Sequence, residues 1–201
     1  MPSIYQLKPA FQSLLRPVVR KLFSLGVTAN QVTLFAAAVS VAFGVTLFAF
    51  PNVKPLWFLL PLVLFFRMAL NAVDGMLARE FGQASKLGAL LNELTDIVSD
   101  SALILGLAAI APSATLALAC FAVAAALTEA AGLAGQTLGA SRRYDGPFGK
   151  SDRAAFLGVA GLGLGLGLIS ISWIAPAAWL ATAFTLWTVV NRMRAALAEL
   201  A

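Results

Sequence analysis

One segment, LWFLLPLVLFFRMALNAVDGML at residues 56–77, combines the two features that organise this chain. Its first part is apolar over the length that an α-helix needs to cross the hydrocarbon core of a membrane. Its last part carries Asn71 and Asp74, which are three residues apart and therefore share one helix face. The segment predicts a transmembrane helix that ends in a polar face.

Similar apolar blocks recur on both sides of this segment. The chain has 201 residues, of which 60% are hydrophobic and 11% charged, whereas a soluble domain is roughly half apolar and one quarter charged. We therefore predict an all-α, polytopic membrane bundle of six transmembrane helices within residues 31–196. The expected spans are 31–50, 56–77, 88–112, 114–137, 154–173 and 176–196.

The first 25 residues differ from these blocks, because their apolar and basic residues alternate with a helical period. Such a segment is typical of an amphipathic helix that lies on an anionic membrane surface. We predict an interfacial helix over residues 1–25, and we assign the whole chain, 1–201, to a single membrane-embedded domain.

The basic residues predict the orientation of the bundle. Of the 14 Lys and Arg residues, Lys54 alone lies on one side of the predicted spans, and Arg67 lies within a span. All the others share the opposite side, which the positive-inside rule makes cytosolic. We therefore expect an even number of crossings in the cell (inner) membrane, with both termini in the cytosol. The same placement indicates membrane orientation rather than nucleic-acid binding.

The composition also limits the chemistry. The chain has no histidine, which excludes histidine-based general bases, Ser-His triads and most zinc sites. Its one cysteine, Cys120, lies in an apolar block and reads as a buried, inert thiol. Any acid–base or metal chemistry must use carboxylates, amides and hydroxyls, which suit Mg²⁺ or Mn²⁺.

Polar groups recur through NAVDGMLAREFGQASKLGALLNELTDIVSD, residues 71–100, at membrane depth. Asn92, Asp96 and Asp100 are each four residues apart, so they share one face of the third predicted span. Unpaired carboxylates in lipid are costly and normally face an interior site, here one that would suit a hard cation. The alternatives are an ion or solute pathway, or polar residues that only bridge helices or reach the interface.

Residues next to these polar groups favour a phosphate-bearing ligand. Gly75 and Ala78 would let a ligand approach the helix backbone, and Arg79 and Lys86 would meet phosphate charge at the same mouth. A second group of cations lies between the fourth and fifth spans, where it would bind a phosphorylated acceptor or serve only as the positive-inside signal. Its members are Arg142, Arg143, Lys150 and Arg153.

Two further features concern packing. The stretch GVAGLGLGLGLIS, residues 158–170, places Gly161 with Gly165 and Gly163 with Gly167 at small-xxx-small spacing, which favours close helix packing within the bundle over a dimer contact. Glu129 lies inside the fourth span and needs a cationic partner, for which Arg67 is a weak candidate because the two depths differ.

The segment at residues 71–96 resembles the signature of the CDP-alcohol phosphotransferase family, D-x2-D-G-x2-A-R-x8-G-x3-D-x3-D. Asp74-Gly75, Ala78-Arg79, Gly88 and Asp96 are in register with it. TANQVT at 28–33 resembles the start of the family's first span. SRRYDGPFGKSDR at 141–153 resembles the cytosolic loop of phosphatidylinositol-phosphate-synthase-like members.

The resemblance implies transfer of a substituted phosphate (phosphatidyl) group from a CDP-linked lipid such as CDP-diacylglycerol to an alcohol, with release of CMP, in phospholipid synthesis. It implies Asp96 as the catalytic base and a divalent metal, Mg²⁺ or Mn²⁺, at Asn71, Asp74, Asn92 and Asp96. The donor would meet Asp74, Gly75, Ala78, Arg79, Lys86 and Gly88. The acceptor would meet Arg142, Arg143, Lys150 and Arg153. A homodimer is an expectation from the family.

Two positions depart from the signature, because Asn71 and Asn92 replace its first and third aspartates. The four positions therefore carry two formal negative charges instead of four, which weakens a two-metal cluster. Asp100, one turn beyond Asp96, is a candidate compensating acid. A catalytically silent relative that binds lipid or nucleotide is the first alternative, and an ion or solute transporter is the second.

Overall fold

The computed structural model describes residues 8–201, and every regular element in that range is helical. The α-helices are α1 Lys8–Ser24, α2 Ala29–Ala49, α3 Lys54–Glu80, α4 Lys86–Leu105, α5 Thr115–Thr137, α6 Lys150–Gly165 and α7 Ile174–Leu200. The part of the predicted interfacial helix at residues 1–7 lies outside the described range. The all-α prediction is confirmed.

Four segments are long and apolar enough to cross a membrane, which makes the chain a multi-pass membrane protein. They are Ala29–Ala49, Lys54–Glu80, Pro112–Thr137 and Ile171–Leu200. Two further helices that were predicted as spans, α4 and α6, do not meet this criterion. The α4 helix carries Glu93, Asp96 and Asp100 on its inner face, and α6 has only 16 residues. The α4 helix is therefore too polar, and α6 too short, to count as a typical lipid-facing span, although both belong to the same bundle.

Two of the predicted spans extend beyond the helices that form. The α4 helix ends at Leu105 and passes into the short turn Gly106–Ala108, so the predicted limit at residue 112 is wrong. The α6 helix ends at Gly165, because the chain then turns through Gly167, which has a φ of 70°. Only glycine adopts that backbone conformation without strain. The predicted limit at residue 173 is therefore wrong as well.

The helix α2 is the centre of one half of the bundle, because α3 and α4 each pack along it rather than on each other. The contact between α2 and α4 is very close at Gly44, where an added Cβ would lie 2.5 Å from the carbonyl oxygen of Ala102. In the other half, α5 packs on α4 and α7, and α6 packs on α3. This arrangement leaves a gap between α3 and α4 that side chains must span.

The glycines of α6 serve packing within the bundle. An added Cβ at Gly161 would lie 2.8 Å from Cδ2 of Leu60, and one at Gly165 would lie 3.1 Å from Cδ2 of Phe58. Both contacts are on α3, as the preferred interpretation of this pair expected. Gly167 lies beyond the end of the helix, so the second predicted pair does not share a helix face.

The short helix α1 lies against α3. Val19 is fully buried, whereas Leu14 and Val18 are exposed. An ion pair of 3.1 Å between Arg16 and Glu80 ties the helix to the end of α3. An exposed apolar side on a helix with basic residues fits an interfacial position, which stays a prediction.

Local hydrogen bonds fix the ends of α2, α3 and α4 relative to one another. Thr28 begins α2 with a capping box completed by Gln31. The amide N–H of Ala29 donates to Oε1 of Gln83 at 2.6 Å, which ties α2 to the turn between α3 and α4. Ser85 then begins α4 by accepting a hydrogen bond from the Gly88 amide at 2.9 Å. The end of α3 that carries Asp74 and the start of α4 are therefore held close to the start of α2.

Candidate active site

The polar residues predicted from the sequence line the gap between α3 and α4. Asn71 and Asp74 lie on α3, and Asn92, Asp96 and Asp100 lie on α4. The side-chain amide of Asn71 donates to Oδ1 of Asp96 across the gap at 3.5 Å. The polar faces of α3 and α4 therefore meet through side chains, while α2 holds the two backbones apart.

Asp74 is anchored on the α2 side of this gap. It is only 5% exposed, and its Oδ2 accepts a hydrogen bond from the hydroxyl of Thr33 at 2.7 Å. The Ala29 carbonyl one turn earlier shares the single hydrogen of this hydroxyl, with its oxygen 3.0 Å from Oγ1, so the hydroxyl is also oriented by its own helix. The sequence placed Thr33 in a segment with a family resemblance but gave it no role.

Asp96 faces the gap from α4 and is the point where three elements meet. Its Oδ1 accepts hydrogen bonds from Nζ of Lys150 at 2.5 Å and from Nη2 of Arg67 at 3.4 Å, besides the contact with Asn71. Within the described part of the chain, every side-chain contact of this carboxylate goes to Oδ1. Its Oδ2 is left without a hydrogen bond there.

Asp100 lies one turn deeper and is held by two guanidinium groups. Its Oδ1 is 2.5 Å from Nη1 of Arg67, and its Oδ2 accepts from Nε and Nη2 of Arg153 at 2.9 and 2.8 Å. All three side chains are at least nine-tenths buried. The charge of this predicted compensating acid is therefore already balanced by protein cations.

Glu129 on α5 has several cationic partners, and Arg67 is not among them in the described residues. Its carboxylate contacts Arg153 at 3.0 Å, Arg142 at 3.1 Å and Arg192 at 3.5 Å. The weak candidate pair of Glu129 with Arg67 is wrong, because Arg67 turns towards α4 instead. Arg153 consequently joins the acids of α4 and α5 to the first turn of α6.

The two arginines of the loop before α6, which were predicted to meet the acceptor, differ in burial and in partners. Arg142 contacts Glu93 and Glu129, and its guanidinium lies 5.2 Å from the centre of the Tyr144 ring. Arg143 lies further out, where it contacts Asp145 at 2.8 Å and Glu199 at 2.9 Å. Arg143 beside Asp145 holds the pKa of that carboxyl below its usual range.

The residues predicted to meet the donor lie at the end of the gap where α3 leads into α4. Arg79 and Lys86 are exposed there. Arg79 folds back over Gly75, since an added Cβ on that glycine would lie 2.8 Å from Nη2 of Arg79. At Gly88 an added Cβ would lie 2.7 Å from Oδ1 of Asn30, so α2 and α4 approach closely at this point.

The oxygen ligands at this site suit a hard divalent cation in kind, because they are carboxylates and amides. Their number is small. Asp74 and Asp96 supply the two carboxylates of the signature positions, while Asn71 and Asn92 supply amides. Within residues 8–201 there is no group of three or more His, Cys, Asp or Glu side chains placed to hold a metal ion. The donor set fits one such cation better than two.

Comparison with known proteins agrees with the fold described above and with the family that residues 71–96 resemble. Residues 26–191 match the family model of CDP-alcohol phosphatidyltransferase. The chain is 45% identical to inner membrane protein YnbA of Escherichia coli over 97% of its own length and 96% of that protein. It is 33% identical to the phosphatidylinositol phosphate synthase of Corynebacterium glutamicum, over 96% of its length and 88% of that enzyme.

Solved structures of a related enzyme have the same fold as this chain. The crystal structure of Mycobacterium tuberculosis phosphatidylinositol phosphate synthase with CDP-DAG bound superposes with a TM-score of 0.75 at 25% identity, covering 90% of this chain and 92% of that one. A second structure of that enzyme, in complex with manganese and citrate, agrees in fold with a TM-score of 0.75 at 24% identity.

The family match, together with the all-helical membrane fold and the carboxylate-lined gap, identifies a membrane-embedded transferase. The chain belongs to the CDP-alcohol phosphatidyltransferase family. This confirms the resemblance noted at residues 71–96. The family's activity is metal-dependent transfer of a phosphatidyl group from a CDP-linked lipid in phospholipid synthesis.

Proposed function

We propose that this protein transfers the phosphatidyl group of CDP-diacylglycerol to a phosphorylated alcohol and releases CMP. One observation carries the proposal: Asp74 on α3 and Asp96 on α4 face the same gap, and Lys150 at the start of α6 reaches into it. Carboxylates and a cation that share a cleft can bind a diphosphate and accept a proton at the same place.

The donor headgroup is assigned to the end of the gap near the α3–α4 turn. Asp74, Gly75 and Ala78 form the α3 wall there, and Arg79 and Lys86 are exposed beside it. Their guanidinium and ammonium groups suit the diphosphate of the donor. Gly88 supports this end by allowing α4 to approach Asn30 on α2.

In the proposed reaction the hydroxyl oxygen of the acceptor bonds to the β-phosphorus of the donor. The bond from that phosphorus to the oxygen bridging it to CMP breaks, and CMP leaves with the electron pair. Oδ2 of Asp96 takes the proton of the hydroxyl, since this oxygen makes no hydrogen bond within residues 8–201 while Oδ1 is held by Lys150 and Arg67. A divalent cation, Mg²⁺ or Mn²⁺, held by Asp74, Asp96 and the amides of Asn71 and Asn92, would neutralise the diphosphate charge.

A phosphorylated acceptor is supported by unsatisfied groups beside the gap. Oε2 of Glu93 and Nε of Arg142 are buried without a hydrogen-bond partner in the described residues. A ligand that offers both hydroxyl and phosphate groups would satisfy them. We assign Arg142 and Arg143 to this ligand. Arg153 is held by Asp100 and Glu129, so we assign it to fixing the start of α6.

The membrane arrangement belongs to the same proposal. We count α4 and α6 as crossings, because their polar residues point into the bundle rather than into lipid. This gives six crossings, with both termini and the site on the cytosolic side according to the placement of basic residues. We also propose that the protein forms a homodimer, as expected from the family.

The experiment is CMP release by the purified protein in lipid nanodiscs, with CDP-diacylglycerol, Mg²⁺ or Mn²⁺, and a panel of acceptors. The panel pairs glycerol phosphate with glycerol and inositol phosphate with inositol, and adds serine. We expect metal-dependent release with a phosphorylated acceptor and not with its unphosphorylated counterpart. Release with an unphosphorylated alcohol alone would overturn the acceptor assignment.

A second candidate is a silent relative that binds the donor without turning it over. The observation that favours it is the presence of asparagines at two signature positions, Asn71 and Asn92. Folded protein that binds CDP-diacylglycerol but releases no CMP with any acceptor would support this candidate. Restored release in the Asn71→Asp, Asn92→Asp double variant would then identify the missing carboxylates as the cause.

A further inference from the structure

We propose that Lys150 supplies, as a built-in ammonium group, the positive charge that a second divalent cation would bring to Asp96. On this proposal the site binds a single divalent cation. The inference rests on the proposed transferase function, and it assigns to Lys150 a role different from acceptor binding.

The first support is the contact itself. Nζ of Lys150 lies 2.5 Å from Oδ1 of Asp96, which is the last signature position on α4. The side chain of Lys150 is 20% exposed, so most of it is enclosed by the site. A lysine that served only as a cytosolic surface charge would lie in solvent rather than on the carboxylate at the centre of the gap.

The second support is the way in which Lys150 is positioned. It is the first residue of α6, directly after Gly149, whose amide donates to Asp152 at 2.9 Å. Just before that, the Phe148 amide donates to the hydroxyl of Thr188 on α7 at 2.9 Å. The backbone on which Lys150 stands is therefore tied down on both sides, so the ammonium group is directed by the fold.

Arg153, one turn further along α6, adds a buried anchor. Its guanidinium contacts Asp100, Glu129 and the hydroxyl of Thr128, and the residue is only 1% exposed. These contacts hold the first turn of α6 against α4 and α5. Since Lys150 and Arg153 are three residues apart, they share one face of the helix. The anchor therefore directs Lys150 towards Asp96.

The third support is the balance of charge. The family signature has four carboxylates, whose charge two divalent cations would neutralise. In this chain the signature positions have two carboxylates, Asp74 and Asp96, and Asp96 is already paired with Lys150. Arg67 and Arg153 are balanced by Asp100 and Glu129. One divalent cation leaves a small positive excess for the donor diphosphate. Before the donor binds, a second cation would make this excess large in a buried site, which is unfavourable.

The test is a titration of the purified protein in phosphatidylcholine nanodiscs with Mn²⁺, in which the electron paramagnetic resonance signal reports the free ion. We expect one bound Mn²⁺ per chain in the unmodified protein. The Lys150→Met variant should bind that ion about tenfold more tightly, because a neighbouring positive charge has been removed. The Lys150→Arg variant should retain the original affinity. Lys54→Met, which removes an exposed lysine at the opposite end of α3, is the matched control and should change nothing.

A triple variant tests the replacement directly. Lys150→Met combined with Asn71→Asp and Asn92→Asp restores the signature carboxylates and removes the ammonium group, so we expect two bound Mn²⁺ per chain. The Asn71→Asp, Asn92→Asp protein that retains Lys150 should bind fewer ions than the triple variant at the same free Mn²⁺ concentration. Equal binding by these two proteins would contradict the proposal.

Other outcomes separate this inference from the proposed function. Two Mn²⁺ bound to the unmodified protein would overturn the inference without affecting the transferase proposal. A Lys150→Met variant with unchanged Mn²⁺ affinity and a raised KM for the acceptor would return Lys150 to acceptor binding and also overturn it. One bound Mn²⁺ with the expected response to Lys150→Met, but no CMP release, would support the inference and count against the transferase.

Discussion

Arg67 of α3 and Asp100 of α4 form an ion pair inside the bundle, with 2.5 Å between Nη1 and Oδ1 and side chains that are 3% and 8% exposed. The two helices pack on α2 rather than on each other, so this pair spans the gap that also contains the candidate active site. A long arginine side chain bridges the distance that the helix backbones leave open. The pair is therefore both a support of the fold and the inner boundary of the site.

Removing the guanidinium of Arg67 should destabilise the protein, because it leaves the buried charge of Asp100 with one cation fewer. We expect Arg67→Met to reduce the free energy of unfolding by about 3–5 kcal/mol, and to lower the midpoint of thermal unfolding in detergent. The Arg67→Met, Asp100→Asn double variant should recover part of this loss. Arg194→Met, which changes an exposed arginine, is the control. A single variant as stable as the control would show that the ion pair contributes little.

Removing the carboxylate of Asp96 should abolish turnover while leaving the fold intact. We expect Asp96→Asn to reduce the rate of CMP release at least about 100-fold, because the amide cannot accept the proton of the acceptor. The measurement is release at saturating donor and acceptor. Thermal unfolding of the same preparation serves as the control for folding. Activity that survived this substitution would require another base.

Thr33 should act as a positioning residue for Asp74. Replacing its hydroxyl by a methyl group in Thr33→Val removes the 2.7 Å hydrogen bond to the carboxylate, and a hydrogen bond to a charged group contributes about 1.5–3 kcal/mol. We expect CMP release to fall about tenfold, which corresponds to about 1.4 kcal/mol. Thr33→Ser retains the hydroxyl and should restore most of the rate. If the Ser and Val variants were equally impaired, packing rather than the hydrogen bond would explain the effect.

Two glycines of α6 offer a matched pair for the contact with α3. An added Cβ at Gly161 would lie 2.8 Å from Cδ2 of Leu60, whereas at Gly158 the nearest atom would be 3.5 Å away, on Pro61. We therefore expect Gly161→Ala to destabilise the protein by about 1–3 kcal/mol through overpacking. Gly158→Ala should be neutral or stabilising by up to about 1 kcal/mol, since alanine favours a helix over glycine. Thermal unfolding of the two variants tests the packing, and equal midpoints would contradict it.

The orientation can be tested by chemical labelling. In a Cys120→Ser background, a membrane-impermeant maleimide added to intact cells should label Asn52→Cys, between α2 and α3. It should not label Ala84→Cys, between α3 and α4, until the membrane is opened. Both positions are exposed, so access to the reagent is comparable. Labelling with the opposite preference would invert the proposed topology.

Much of this architecture could be predicted from the sequence, because membrane helices are specified by the length and composition of apolar blocks. The spacing of Asn92, Asp96 and Asp100 correctly predicted a shared face on α4. The ends of α4 and α6 were predicted less well. The apolar residues continue past Leu105 and Gly165, and the helices end because the backbone turns, at Gly167 in the second case.

The partners of the charged residues were harder to predict. The sequence places Arg67 within a span and offers it only as a partner for Glu129. Its contacts with Asp96 and Asp100 depend on how α3 and α4 sit against α2. Lys150 and Asp96 are 54 residues apart in sequence and meet only through the docking of α6. Such pairings depend on tertiary packing, and helical periodicity does not report them.

The guanidinium of Arg153 joins Asp100 on α4 and Glu129 on α5 to α6. Replacing Asp100 or Glu129 alone by a neutral residue would leave an excess of positive charge in the interior, because each acid is shared by two or more arginines. Their evolution is therefore expected to be coupled: a lineage that replaces Asp100 or Glu129 by a neutral residue should also replace an arginine. Asn71 and Asn92 have no such arginine partner in the described residues. A change between aspartate and asparagine at those two positions would leave this buried network intact, so the site could change its charge while the helix bundle was preserved.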